Sequence, residues 1–295
     1  MAKLYESLQA KTTLVAKGHH HVDQVNLLLP PNTDMDAVPF LKSCGDVLRD
    51  AGLHVLVSDG VVDDGLNLKI GHAFGGFWLI DRCLPHGETT LSNTAFDHHS
   101  VDFETASKFY EMQCAEAIKP FNHPFGFDDF VLVVLGENLG LIDSGAAVDT
   151  TRIISDVLEM EPERQVVIHG ATGSDLHHEK YATIRPFDLN DRVSFSNAAI
   201  DRLLDSCRYV VTQNQTVNLQ AMFHGKHTVQ YARSAFHHIS RKVYEDERLR
   251  KTYNRARRDR PEFQKYIYWL CHEHLTNEND PQILRAILDR CRTLG

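Results

Sequence analysis

The chain has 295 residues, of which 42% are hydrophobic and 24% charged, with a net charge of −9 and six cysteines. That length and apolar content admit one large or two small globular domains with a sizeable core. The acidic balance argues against nucleic acid as a partner. No run reaches the ~18 apolar residues of a membrane span.

Taken in chain order, the N-terminus lacks the apolar core of a signal peptide. The scattered cysteines, without a CxxC pair, read as free thiols of a reducing cytosol. A cytoplasmic protein is expected, with any membrane association peripheral. Val25 to Leu29 reads as a buried strand closed by Pro30 and Pro31. Asp34 or Asp36 caps a helix running through Leu41, Val47 and Leu48 to Gly52, and Leu53 to Val57 is a second strand. Strand–helix–strand favours a parallel sheet. Phe74 to Ile80 is a further strand, and Val101 to Ile118 an amphipathic helix whose Asp102 and Glu104 suit its positive start.

Two prolines and a glycine between Lys119 and Gly126 mark a connector. They divide the chain into a first domain over 1–125, a second over 126–240, and a helical segment over 241–295. Phe130 to Leu135 is a fully apolar strand, Thr150 to Met160 a helix, and Val166 to His169 a strand. Arg192 to Phe195 reads as a short strand and Ala198 to Ser206 as a helix. Tyr209 to Thr212 is β-rich, Val217 to His224 has helical spacing stopped by Gly225, and Thr228 to Tyr231 is extended again. Such a unit sets polar groups and a helix N-terminus at the carboxyl end of a parallel sheet, where open α/β sheets bind nucleotides and phosphates. Thr212, Asn214, Gln215 and Thr216 supply the hydroxyls, amides and backbone N–H groups there.

That run also resembles the nucleotide-sugar half of the bacterial capsule and lipopolysaccharide Kdo transferases and related capsule-biosynthesis proteins. Their line is T-x-N-S-T-V-G-L-E-A-L-x-x-G-K-P-V. Thr212, Asn214, Thr216, Val217, Leu219, Ala221, Gly225 and Lys226 stand in register. The chain departs at Gln215 for Ser, Asn218 for Gly, Gln220 for Glu and His227 for Pro. The resemblance implies two Rossmann-like α/β domains facing a cleft (a GT-B-like fold), with C-terminal helices crossing back over the first domain. It implies transfer of a sugar from a nucleotide sugar, CMP-Kdo or similar, to a bacterial surface-glycan or glycolipid acceptor. Donor contacts fall on Thr212, Asn214, Gln215, Thr216 and Gln220.

Two further segments are similar to that family. Its second domain opens with a strand and a G-Q-x-x-x-D-x-S-like loop carrying the catalytic Asp. Here Asp143 and Ser144 follow the Gly-rich run from Leu135, with Glu137 at the Gln position. Its K-x-H-P strand end, whose His faces the donor phosphate, corresponds to His169 followed by Gly170. The resemblance therefore makes Asp143 and His169 the catalytic candidates. In the first half, Trp78, Asp81 and His86 lie in an aromatic and polar stretch suited to a sugar acceptor. Asp59, Asp63 and Asp64 read as turn formers rather than magnesium ligands, and no cofactor or divalent metal is expected beyond the nucleotide-sugar co-substrate. Two alternatives stand beside the transferase. The substitutions at Gln215, Asn218 and Gln220 also fit a non-catalytic sugar-nucleotide binder of a glycan-assembly system. The paired histidines, His98–His99, His177–His178 and His237–His238 with His19–His21, raise a metal-dependent hydrolase, though without HExxH spacing.

Overall fold

A computed structural model describes residues 24–29, 34–35, 37–58, 61, 65–84, 88–118, 129–135, 149–170, 175–213, 215–232, 234–243 and 248–294. The chain forms two compact units, Met1–Asn93 with Leu270–Gly295, and Thr94–Trp269.

The first unit holds strands β1 (Gln24–Leu28), β2 (His54–Ser58), β3 (Leu66–Phe74), β4 (Phe77–Arg82) and β11 (Leu275–Asn277), with helices α1 (Pro39–Asp50) and α8 (Ile283–Leu294). Its sheet runs β11-β4-β3-β1-β2. β1 pairs in parallel with β2 and β3, and β4 pairs antiparallel with β3 and β11. The expected strand–helix–strand crossover is α1 between β1 and β2, with Pro39 in the first turn of the helix. The Rossmann-like sheet is parallel over β3, β1 and β2 and antiparallel at β4 and β11. The reason is the β3–β4 hairpin, which turns at Gly75, a residue held at φ +49. α1 contributes Phe40, Leu41, Cys44 and Leu48, and α8 contributes Ile287, Leu288 and Cys291, to one core with Val25, Leu27, Leu68 and Ile70.

The second unit holds α2 (Phe103–Ala117), β5 (Val131–Val134), α3 (Thr150–Met160), β6 (Val166–His169), β7 (Val193–Ser196), α4 (Ile200–Ser206), β8 (Tyr209–Thr212), α5 (Gln215–Phe223), β9 (Thr228–Gln230), β10 (Arg241–Lys242), α6 (Leu249–Arg258) and α7 (Phe263–Trp269). Its six strands run β10-β9-β8-β5-β6-β7, all parallel. Counted from β5, that is the order 3-2-1-4-5-6 of the doubly wound nucleotide-binding sheet. Both faces are covered, which explains why β5, β6 and β8 are near-continuous apolar runs. α3 and α6 close one face through Ile153, Ile154, Val157, Tyr253 and Ala256. α4 and α5 close the other through Leu203, Leu204, Val217 and Ala221.

The units divide at Asn93 and Trp269 rather than at the proline-rich connector, whose residues 119–128 lie outside the described set. α2 precedes that connector yet belongs to the second unit, where it meets α5 and α7. The Tyr110 hydroxyl donates to the carbonyls of Met222 (2.6 Å) and Phe223 (3.1 Å) at the end of α5. α8, the last helix, returns to the first unit. Arg290 of α8 donates from Nε to the Ile80 carbonyl at 3.1 Å.

Candidate functional site

The parallel register sets Gln230, Thr212, Val134, His169 and Ser196 side by side at the carboxyl ends of β9, β8, β5, β6 and β7. Neighbouring strands lie ~4.8 Å apart, so Thr212 and His169, two strands apart, are separated by roughly 10 Å. Val134 and Val167 face α4 and α5, and strand alternation puts His169 on that same side. α5 starts at Gln215, three residues after β8 ends. The start of α5 and His169 therefore occupy the same end of one sheet. Strand order reverses between β5 and β8, and open α/β sheets take ligands outside the carboxyl ends at such a switch point.

His169 is half-buried, and its Nδ1 is buried without a hydrogen-bond partner. Burial lowers the pKa of the ring, and a hydrogen bond to the Ser196 backbone raises it in part. A proton on the unspent nitrogen, which an approaching phosphate would favour, makes that nitrogen a donor to the phosphate. Gly170 follows at φ +107, a conformation closed to the proline that the resembled motif carries there. Its N–H donates to the Ser196 carbonyl at 3.1 Å, a bond proline cannot make. Replacing His169 by alanine is expected to weaken nucleotide binding ten- to a hundredfold, the worth of one hydrogen bond to a charged group at roughly 1.5–3 kcal/mol, while the thermal melt stays put. Unchanged affinity by titration calorimetry would make this histidine a structural residue.

Thr212 is wholly buried, and its Oγ1 donates to the Val134 carbonyl at 2.9 Å. The hydroxyl ties β8 to β5 at the switch point. Thr212→Val keeps the shape and removes that bond. It should cost about 1 kcal/mol, read as a lower urea midpoint at constant slope, and a midpoint equal to wild type would show that the bond carries no stability.

On α5, Val217, Asn218, Leu219 and Ala221 are buried, Thr216 is exposed and Gln220 half-buried. Thr216 and Gln220 stand at i and i+4, so they form one accessible stripe leading away from the helix start. Asn218, where the resembled line has glycine, is turned inward at 0% exposure. Its Nδ2 donates to the Phe236 carbonyl at 2.6 Å, and its Oδ1 accepts from Thr228 Oγ1 and from Ser240 Oγ (2.9 Å). It binds α5 to β9 and to the segment before β10. Gly225, at φ +63, ends the helix. Lys226 Nζ donates to the carbonyls of Asp205 (3.0 Å) and Cys207 (2.8 Å), capping α4. His227, in the proline position, is buried with its Nε2 on the Asp259 carbonyl.

Sequence reasoning passed over Gln230. It is 0% exposed at the end of β9, and its Nε2 has no hydrogen-bond partner. An amide closing a strand otherwise made of Thr228 and Val229 is the signal that marks it.

Asp143, Asn214 and His86 lie outside the described residues, as do Asp59, Asp63, Asp64 and His19–His21, and Gln215 is described in its backbone alone. In the first unit, Trp78 stacks on Phe40 (centroids 4.6 Å apart) and donates from Nε1 to Glu278 Oε2 at 2.7 Å. Asp81 is 0% exposed. Its oxygens accept from the N–H groups of Leu91 (2.6 Å) and Arg82 (2.9 Å), with Arg290 at 3.9 Å. Burial raises its pKa against the pull of those partners. The carboxylate is placed to hold the turn after β4. Among the described residues, no group of three or more His, Cys, Asp or Glu comes together as metal ligands, and no helix is long and apolar enough to cross a membrane.

A mixed α/β unit and a parallel unit with the nucleotide-binding strand order together define a fold of the GT-B type. Among solved structures, the chain is similar to Thermosulfurimonas dismutans KpsC, beta Kdo 2,7 transferase, at a TM-score of 0.55 and 12% identity over 92% of this chain and 100% of that one. It is also similar to Thermosulfurimonas dismutans KpsC, beta Kdo 2,4 transferase, at a TM-score of 0.52 and 12% identity over 84% and 90%. At that identity the likeness is one of fold. No protein-family model matches the chain, and no curated protein does.

Proposed function

We propose that this protein is a glycosyltransferase that moves a sugar from a nucleotide donor, CMP-Kdo or similar, to a bacterial surface-glycan or glycolipid acceptor. The observation that carries the reading is the meeting of His169 and the start of α5 at the carboxyl end of one parallel sheet. In this reading the donor phosphate lies against the start of α5, where Gln215 and Thr216, with Asn214 preceding them in the sequence, supply N–H and side-chain donors. His169 donates to the same phosphate, and Gln220, farther along the stripe, meets the nucleotide's ribose. Asp143 takes the proton of the acceptor hydroxyl as that oxygen bonds to the anomeric carbon. The bond from that carbon to the phosphate oxygen breaks, and the nucleotide leaves. Trp78 and His86 belong to the acceptor side, while the buried Asp81 holds the turn after β4. The work is done in the cytoplasm at the inner face of the inner membrane.

A thermal-shift screen with CMP, UDP, GDP and their sugar conjugates tests the donor. A ligand at a hundred times its Kd adds about 2.7 kcal/mol of apparent stability, and a cytidine conjugate is expected to raise Tm most. No response to any of them overturns the reading. The amide of Gln220, which lacks the charge of the usual glutamate, favours a second reading as a sugar-nucleotide binder without turnover. A shift with CMP-Kdo unaccompanied by CMP release would select it.

A further inference from the structure

Residues 248–260, which comprise α6 and its flanks, hold seven arginines and lysines against one acid, Asp259, in a chain of net charge −9. The acidic Glu245–Glu247 before them lie outside the described residues. Packing sorts these cations. Arg257 turns inward, with Nε on Glu161 Oε1 at 2.6 Å and Nη2 on the Met160 carbonyl at 2.8 Å. Arg241 pairs with Asp259. Arg248, Arg250, Lys251, Arg258 and Arg260 are exposed. A depression of about 480 Å³ is lined by Arg248, Arg250, Lys251, Arg255 and Arg258 with Asn254 and Asp259.

Every lining residue comes from α6 or its immediate flanks. A site for a small anion draws its donors from several elements around one point, whereas among the described residues this one is lined by a single element. The helix's apolar residues are spent inward: Tyr253 and Ala256 are buried, and Leu249 packs against the same core. What remains outward is a cationic strip about 15 Å long, without an apolar wedge to insert among the described residues. Such a strip fits a flat anionic partner touched along one side.

We propose that the outward face of α6 docks this protein onto an anionic phospholipid surface. The choice of a bilayer rests on the glycolipid acceptor proposed above. Each cation near such a surface contributes about 1 kcal/mol, and the attraction decays within a Debye length. The contact is electrostatic, so it is reversible and salt-sensitive, unlike the anchoring of an inserted amphipathic helix.

The test is co-sedimentation of the full chain with phosphatidylcholine vesicles containing 30 mol% phosphatidylglycerol. Binding is expected at 0.1 M salt, with loss at 1 M salt and none to pure phosphatidylcholine. The pair Arg250→Gln/Arg258→Gln should weaken it roughly thirtyfold, and Arg250→Glu/Arg258→Glu should abolish it. Thermal melts show that each variant is folded, and the milder pair keeps the test decisive if charge reversal harms folding. Equal binding to neutral vesicles, no binding to either, unchanged binding by the glutamine pair, or binding to duplex DNA in place of vesicles each overturns the proposal. The CMP-Kdo thermal shift of the same variants separates the two failures. Vesicle binding without a nucleotide response keeps the docking face and removes the transferase, and the reverse result removes the docking face alone.

Discussion

Replacing Asp143 by asparagine is expected to cut glycosyl transfer by more than ~100-fold while leaving nucleotide affinity nearly unchanged. The substitution preserves size and removes the charge that lets a carboxylate accept a proton. A positioned base is worth roughly 10²–10⁴-fold. The supporting observation is topological. β5 ends at Val134 beside Thr212 of β8 and His169 of β6. The chain leaves β5 at the switch point of the sheet and enters residues 136–148, which carry Asp143. A strand end at a switch point is where an α/β enzyme places its reacting groups. Donor consumption and product formation measured alongside calorimetric donor binding distinguish the outcomes. If turnover and affinity fall together, Asp143 serves binding. If both persist, another group is the base.

The second sheet was legible because both its faces are covered. Phe130 to Leu135, Val166 to His169 and Tyr209 to Thr212 read as apolar runs, and each contains an interior parallel strand. The first sheet was less so. β3 (Leu66–Phe74) was missed: Asn67, Lys69, Gly71 and His72 interrupt its apolar residues, and its partners β1 and β4 are fixed by tertiary pairing. Helix periodicity found α2 without saying which sheet it would cover, whereas the resemblance sent the C-terminal helices back to the first domain, where α8 lies. The boundary consequently fell at a proline-rich connector instead of where packing separates the units. At the site, residue type announced polarity but not direction. The Thr212 hydroxyl is tied to a backbone carbonyl and Asn218 points inward, whereas Thr216 and Gln220 share the open stripe. Direction depends on which face of α5 meets β9, a fact of packing that no spacing rule supplies. Gln230 escaped for the same reason, since its interest lies in being buried with an unmade bond.

Asn218 gives the sharpest test of whether a departure from the Kdo transferase line is compensated. Asn218→Gly restores the residue of that line and should destabilise this protein by about 3–4 kcal/mol. Roughly 1 kcal/mol comes from glycine inside a helix, and the rest from stranding the Phe236 carbonyl and withdrawing the acceptor shared by Thr228 and Ser240. Thr228 and Ser240 keep their own 2.8 Å bond, which limits the loss. Asn218→Ala removes the same bonds without the glycine penalty and should cost about 1 kcal/mol less. Urea unfolding of the three proteins measures both terms. Nucleotide affinity supplies the functional half. Asn218 holds α5 against the segment that carries Phe236 and Ser240, so loosening it frees the first turn of α5 and should weaken CMP binding in both variants. A glycine variant as stable as wild type, with tighter nucleotide binding, would mean that the asparagine obstructs the ligand. The substitution would then be a mark of lost activity instead of a substitute anchor for the helix.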